Sequence, residues 1–287
     1  VAVSTERAVP ATPDDGEAVR SLQVLLADDN PVNQMTGATM LQKLGHAVEV
    51  ANNGHEAIER IGAQKFDIVF MDVQMPEMDG LTATREIRKS EHAMGKHIPI
   101  VAMTAHAMKG DRERCIEVGM DGYISKPIEA AQLYRAIETY VPRTVAAAPP
   151  SKVQDDRSSP DNVLDWAFAL EQVQHQPELL QEVGVLFLDE GPKLLAEVQQ
   201  SIVAGNAAQL RRAAHTLKSS AAIFGARPTI EAAHALEILG QQGTLTTAPG
   251  LCAILEAHAQ RLLQTLAARL ALAASSEPEG VQHPPAR

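Results

Sequence analysis

Five short apolar runs alternate with stretches of helical spacing along the first half of the chain, and this alternation restricts the fold more than any single residue does. The runs are Leu22–Ala27, Val48–Ala51, Ile68–Met71, Ile98–Met103 and Tyr123–Ser125. Between and after them, segments 31–44, 54–62, 81–89, 111–118 and 129–139 have the spacing of amphipathic helices. Short strands that are apolar throughout are covered on both faces. Strict strand–helix alternation supplies that cover as a parallel sheet between two helical layers. The expected fold over residues 21–141 is therefore an α/β, doubly wound, five-stranded parallel sheet.

The pattern then changes. Residues 142–161 contain Ala146-Ala147-Ala148-Pro149-Pro150, then charges, then Ser158-Ser159-Pro160, a composition that reads as a linker. From 162 to 274 no strand pattern appears. Apolar stripes at helical spacing replace it: Leu179, Val183 and Phe187; Leu195, Val198 and Ile202; Leu210, Ala214, Leu217 and Ala221; Leu251, Leu255, Leu262 and Leu266. This predicts an all-α bundle. Pro192 and Pro228 are expected at helix starts, and Gly205 and Gly240 at helix ends. Residues 1–20 read as a flexible leader and 275–287 as a disordered tail.

Composition removes several functions. A net charge of -11 repels a nucleic-acid backbone, and aromatics at 3% provide few stacking surfaces, so no nucleic acid is expected as partner. No run of about 18 apolar residues is present, so no direct membrane contact is expected. Cys115 and Cys252 lie in different halves without neighbouring metal ligands and are expected to be free thiols in a reducing compartment.

Ligands of an open parallel sheet bind beyond the carboxyl ends of its strands. Strand one ends at Asp28-Asp29, strand three at Asp72, strand four at Thr104-Ala105 and strand five at Lys126-Pro127. Three carboxylates on one edge repel each other. A hard divalent cation such as Mg²⁺, taken by oxygen donors, relieves the repulsion. A carboxylate can also act as a nucleophile and form an acyl phosphate, for which a metal, a lysine and a hydroxyl are suitable charge-stabilising groups. Lys126 offers the charge and Thr104 the hydroxyl, while Ala105 leaves room. An aspartate-based phosphohydrolase needs a further acid close after the nucleophile. Asp72 is followed by Val73 and Gln74, with Glu77 the next acid.

The runs Val24-Leu25-Leu26-Ala27-Asp28-Asp29-Asn30, Asp72-Val73-Gln74-Met75-Pro76-Glu77-Met78-Asp79-Gly80, Thr104-Ala105-His106-Ala107 and Gly122-Tyr123-Ile124-Ser125-Lys126-Pro127 resemble the receiver domain of two-component signalling, with a flavodoxin-like fold. The resemblance implies that Asp72 accepts the phosphoryl group. It implies that Asp29 binds Mg²⁺ directly and Asp28 largely through water, with Asp72 and the backbone carbonyl of Gln74 completing the protein ligands. Thr104 and Tyr123 match the switch pair, and Lys126 the phosphate-contacting lysine before a cis proline. Gln74 and His106 match positions that tune hydrolysis.

In the second half, Arg211-Arg212-Ala213-Ala214-His215-Thr216-Leu217-Lys218-Ser219-Ser220-Ala221-Ala222 is the segment with chemistry. On a helix, Leu210, Ala214, Leu217 and Ala221 point inward. Arg211, His215, Lys218, Ser219 and Ala222 share the other face, so His215 is expected to be exposed. Neutral imidazole is a nucleophile near pH 7, and neighbouring cations favour an arriving phosphate. His215-Thr216-Leu217-Lys218-Ser219-Ser220, with Gly225-Ala226, Phe187, Leu188, Glu190, Pro192 and Leu236-Glu237, resembles the histidine phosphotransfer (HPt) domain, a four-helix-bundle fold. The resemblance implies His215 as phosphoacceptor and Lys218 as its assistant. Ser219 departs from the frequent glycine.

Receiver followed by HPt resembles the carboxyl-terminal part of a hybrid sensor histidine kinase. The expected function is Mg²⁺-dependent phosphorelay between Asp72 and His215, and onward to, or back from, a separate response regulator receiver. The upstream partner is a sensor kinase catalytic domain. No ATP-binding motif is present, so the chain is expected to be a phosphotransfer module, cytoplasmic, whatever membrane anchor a parent protein carries. The alternative is a receiver that acts as a phosphorylation-controlled occlusion module.

Overall fold

The computed structural model describes residues 21–95, 97–104, 109–141 and 163–274. The expected leader, linker and tail lie outside these residues, as do Ala105 and His106. The first unit runs β1 Gln23–Ala27, α1 Pro31–Lys43, β2 Ala47–Ala51, α2 Gly54–Ala63, β3 Ile68–Asp72, α3 Gly80–Met94, β4 Ile100–Thr104, α4 Lys109–Glu117, β5 Gly122–Ser125 and α5 Ala130–Tyr140. Its sheet is fully parallel, in the order β2-β1-β3-β4-β5. β4 begins later than expected. Pro99 has no N–H for the ladder, and the Ile98 carbonyl accepts from Arg88 Nη1 at 3.0 Å instead.

Alternation within each strand divides the core. Leu25, Val69, Met71 and Ala102 face a cluster with Ala57, Ile87 and Cys115. Val24, Leu26, Phe70, Val101 and Met103 face one with Met40, Leu41, Leu133 and Ile137. Register brings the strand ends level: Ala27 pairs with Met71, Asp72 with Met103, and Thr104 with Ser125. The acids, the hydroxyl and the lysine that follow therefore meet at one edge. Gly80 permits this, because a Cβ there would lie 2.1 Å from the Asp72 carbonyl oxygen.

The second unit is all-helical: a short α6 (Trp166–Gln172), then α7 Pro177–Val203, α8 Ala207–Ile223, α9 Arg227–Gln242 and α10 Ala248–Ala274. Leu180, Val183, Phe187, Val198, Leu210, Leu217, Leu236, Leu255, Leu262 and Leu266 fill its core. Two sequence expectations are corrected here. Pro192 starts no helix; it lies inside the 27-residue α7, so two of the four stripes belong to one helix. Burial of both stripes outweighs the backbone bond that a mid-helix proline removes, a loss of ~3 kcal/mol. Gly240 ends no helix either. It is buried within α9, where a Cβ would meet the Arg211 nitrogen at 2.6 Å, so it serves close α8–α9 crossing. The left-handed cap is Gly243, at φ 72°. Pro228 and Gly205 stand where expected, in the first turn of α9 and just past α7 with φ 66°.

The two units touch. α1 packs against α7 and α8, with Val32 wholly buried in the helical unit's core and Met35 packed on it. Both cysteines are buried, and they form no disulfide among the described residues. No helix among the described residues is long and apolar enough to cross a membrane.

Candidate functional site

At the strand edge, Asp28, Asp29 and Asp72 each bring a carboxylate oxygen within 4.8 Å of the others. Asp28 and Asp72 are buried, at 0% and 1% exposure. Lys126, after β5, lies between them, its Nζ 2.7 Å from Asp28 Oδ2 and 2.6 Å from Asp72 Oδ2. The Lys126–Pro127 bond is cis. Asp28 also accepts from the Asn30 backbone N–H at 3.0 Å and from Asn33 Nδ2 at 3.2 Å. The Gln74 backbone N–H donates to Asp72 Oδ1 at 3.2 Å. Thr104 is buried at the end of β4. Tyr123 is 36% exposed and lies under the Arg112 guanidinium, 5.4 Å from its ring centre.

One lysine does not balance three acids. Burial, with Asp72 and Asp28 adding repulsion, pushes the Asp29 carboxyl up to about 8. Burial raises Asp72 as well, against the pull of Lys126. Burial by itself would lower the Lys126 ammonium, but Asp28 and Asp72 reverse this and raise it. An all-oxygen cluster with surplus negative charge fits a hard divalent cation.

The second half of the site lies on α8. His215 Nδ1 is 2.7 Å from Glu237 Oε1, Lys218 Nζ donates to Glu237 Oε2 at 2.5 Å, and His234 Nδ1 lies 3.3 Å from the same oxygen. Glu237 is itself buried. Burial would raise its carboxyl, but the His215 hydrogen bond and the nearby cations hold it far below the usual range. With Glu237 accepting from Nδ1–H, a neutral His215 ring would carry its lone pair on Nε2. Nε2 is buried and has no hydrogen-bond partner among the described residues.

The expected exposure of His215 is corrected: it is 3% exposed, with Lys218 at 7% and Ser219 at 4%. The face is closed from two sides, by Glu237 of α9 against His215 and Lys218 and by the first unit. Asn30, between the acid pair and α1, donates from Nδ2 to Ser220 Oγ at 2.5 Å and to the Thr216 carbonyl at 3.3 Å. A charge on His215 would be felt at the Asp72 carboxylate, as an attraction smaller than that of Lys126. Beside this junction an open cleft of about 510 Å³ is lined by Gln74, Thr104, Arg211, Arg212, His234 and Glu237.

The structure thus brings Asp28, Asp29, Asp72, Thr104, Lys126, His215 and Lys218 to one region, and leaves Tyr123 at its periphery. Sequence reasoning gave no role to Glu237 or Asn30. Both stand in the motifs that carry the resemblances, but their partners lie 22 and 190 residues away, so their contacts could not be read locally.

Residues 24–138 match the family model described as the response regulator receiver domain, and residues 182–270 match the Hpt domain. Signal transduction histidine-protein kinase BarA of Escherichia coli (strain K12) is 32% identical over 215 residues, covering 74% of this chain and 23% of BarA. Sensor histidine kinase GacS of Pseudomonas protegens is 32% identical over 236 residues, covering 81% of this chain and 24% of GacS. The chain therefore spans about a quarter of the length of these relatives. Among solved structures, the receiver domain of a Pseudomonas aeruginosa PAO1 sensor histidine kinase is 40% identical, with a TM-score of 0.40 over 42% of this chain and 98% of that one.

Proposed function

Because this chain joins a receiver domain to an Hpt domain, we propose that it relays a phosphoryl group between Asp72 and His215 and exchanges it with a separate response regulator. One observation carries the reading: at the junction where the receiver's Asn30 meets α8, His215 keeps a buried Nε2 with no hydrogen-bond partner among the described residues while its Nδ1 is held by Glu237.

The Asp72 carboxylate, with Lys126 drawn against it, takes a phosphoryl group as an acyl phosphate. The Nε2 lone pair of His215 then attacks phosphorus. A P–N bond forms, the P–O bond to Asp72 breaks, and the electron pair returns to the carboxylate. Nδ1 keeps its proton, and the Glu237 carboxylate stabilises the positive charge that appears on the ring. Lys126 and Thr104 are suited to the oxygens of the moving group, and Lys218 secures Glu237. Asp28, Asp29 and Asp72, with the Gln74 carbonyl, would hold Mg²⁺, which supplies charge neutralisation for the phosphoryl oxygens. The upstream partner is a kinase catalytic domain and the downstream partner a receiver domain. We assign the boundaries 21–141 and 162–274 to the two units, a cytoplasmic location, and to Thr104 and Tyr123 the switch that follows phosphorylation.

The test is intact-mass analysis after incubation with Mg²⁺ and a small acyl phosphate, for wild type, Asp72→Asn and His215→Gln. The relay requires an adduct that depends on Asp72 and gains an acid-labile, base-stable fraction only with His215 present. An Asp72 adduct that never reaches His215 would reject it and leave the occlusion module as the reading.

A further inference from the structure

The helix α8 carries three hydroxyls, on Thr216, Ser219 and Ser220. A hydroxyl inside a helix can bond the carbonyl four residues earlier, and two of these do. Thr216 Oγ1 donates to the Arg212 carbonyl at 3.1 Å, and Ser220 Oγ donates to the Thr216 carbonyl at 3.0 Å. Ser219 behaves differently. It is 4% exposed, and its Oγ has no hydrogen-bond partner among the described residues. The other such atom on α8 is His215 Nε2. The two side chains stand one turn apart on the same face. Cα–Cβ bonds tilt toward a helix N-terminus, so Ser219 leans toward the turn that carries His215.

The charged groups around this pair are committed elsewhere. Glu237 Oε1 is taken by His215 Nδ1, and its Oε2 by Lys218 and His234. Lys218, the cation expected to assist His215, is thereby drawn onto Glu237. A buried O–H without an acceptor opposes folding, and its place beside an open ring nitrogen calls for an acceptor that arrives with the substrate.

We infer that Ser219 is a catalytic residue of the relay, whose O–H donates to an oxygen of the phosphoryl group as that group passes to and from His215 Nε2. This role rests on the relay reading. As the P–N bond forms and the P–O bond to Asp72 breaks, charge on the phosphoryl oxygens is met from the receiver by Lys126 and Thr104. Ser219 meets it from the helical unit. Ser219 keeps its proton throughout. A hydrogen bond to a charged oxygen is stronger than one to a neutral oxygen, so the serine contributes most while the group is in transit.

The test mixes two full chains. The donor is His215→Gln, labelled on Asp72 with acetyl phosphate and Mg²⁺ and then freed of reagent. The acceptor is Asp72→Asn with serine, alanine or glycine at position 219. Rapid quenching follows base-stable histidine phosphate as acceptor concentration is varied. Ser219→Ala and Ser219→Gly should each lower the maximal rate about ten-fold or more, with the half-saturating concentration changed less than about two-fold. Ser219→Ala should also melt at or above the temperature of its parent, because it removes an unpartnered hydroxyl. Slower transfer by a chain at least as stable is not a folding defect. Maximal rates in both variants equal to or above that with serine overturn the role and leave Ser219 a small filler. A lower melting temperature with a raised half-saturating concentration and an unchanged maximal rate overturns it in favour of packing. No histidine phosphate even in the acceptor that keeps Ser219 rejects the relay reading, and the role with it.

Discussion

Asp72 and His215 are excluded from water almost equally, at 1% and 3% exposure, but by opposite means. Asp72 is buried by its own domain. β3 ends inside the sheet edge, and Asp28 and Lys126 close over it. His215 lies on a helix face closed both by Glu237 of its own unit and by the neighbouring domain. The charge balance is also inverted. Around Asp72 three acids gather about Lys126, and burial drives Asp29 and Asp72 toward protonation. Around His215 one acid serves two histidines and a lysine, and it is driven toward ionisation. The receiver site therefore lacks positive charge that a cation can supply, whereas the histidine site is compensated within its own unit.

The largest expected effect tests the first half of this contrast. Lys126→Met removes the ammonium that lies between Asp28 and Asp72, and acyl-phosphate labelling of Asp72 should slow by about 10²-fold or more. Labelling within a few-fold of wild type would mean that this charge contributes little to phosphoryl stabilisation.

The pH dependence tests the inversion directly. The folded value of Asp29, about 8, lies above its ordinary 3.8, so the stability tied to its proton is whole below pH 3.8 and is lost as pH rises through about 8. Glu237 behaves in reverse. Its folded value lies below its ordinary 4.5, so its contribution is whole above 4.5 and is lost as pH falls below it. Thermal melts from acid to mild alkali should show Asp29→Asn flattening the alkaline limb and Glu237→Gln flattening the acid one. Added Mg²⁺ should remove the Asp29 limb and leave the Glu237 limb unchanged. Both variants moving the same limb would contradict the inversion.

Smaller effects test the packing on each side. Gly240→Ala places a methyl 2.6 Å from the Arg211 nitrogen and should destabilise the helical unit by ~1–3 kcal/mol in denaturant melts. Gly62→Ala on α2 meets nothing within 4 Å and should be neutral or stabilising by up to ~1 kcal/mol. A comparable loss at both would show that the α8–α9 crossing is not the tight one.

The residues alone determined the parallel sheet, the bundle and which side chains gather at the strand ends. Strand and helix periods are local signals, and a doubly wound sheet must gather what stands at its strand ends, which made Asp28, Asp29, Asp72, Thr104 and Lys126 a group before any coordinates. The sequence misread Pro192 and Gly240, because helix punctuation yields where burial on both sides of a proline, or close contact with a second helix, favours continuing. Only the tertiary structure decided the state of His215. The elements facing it are α9 of its own unit and the cap of α1 in the other, where Asn30 bonds Ser220 across 190 residues. The Glu237 carboxylate that selects the ring nitrogen comes from a different helix. Helical periodicity can say which way a side chain points; it carries no information about what will be packed against it.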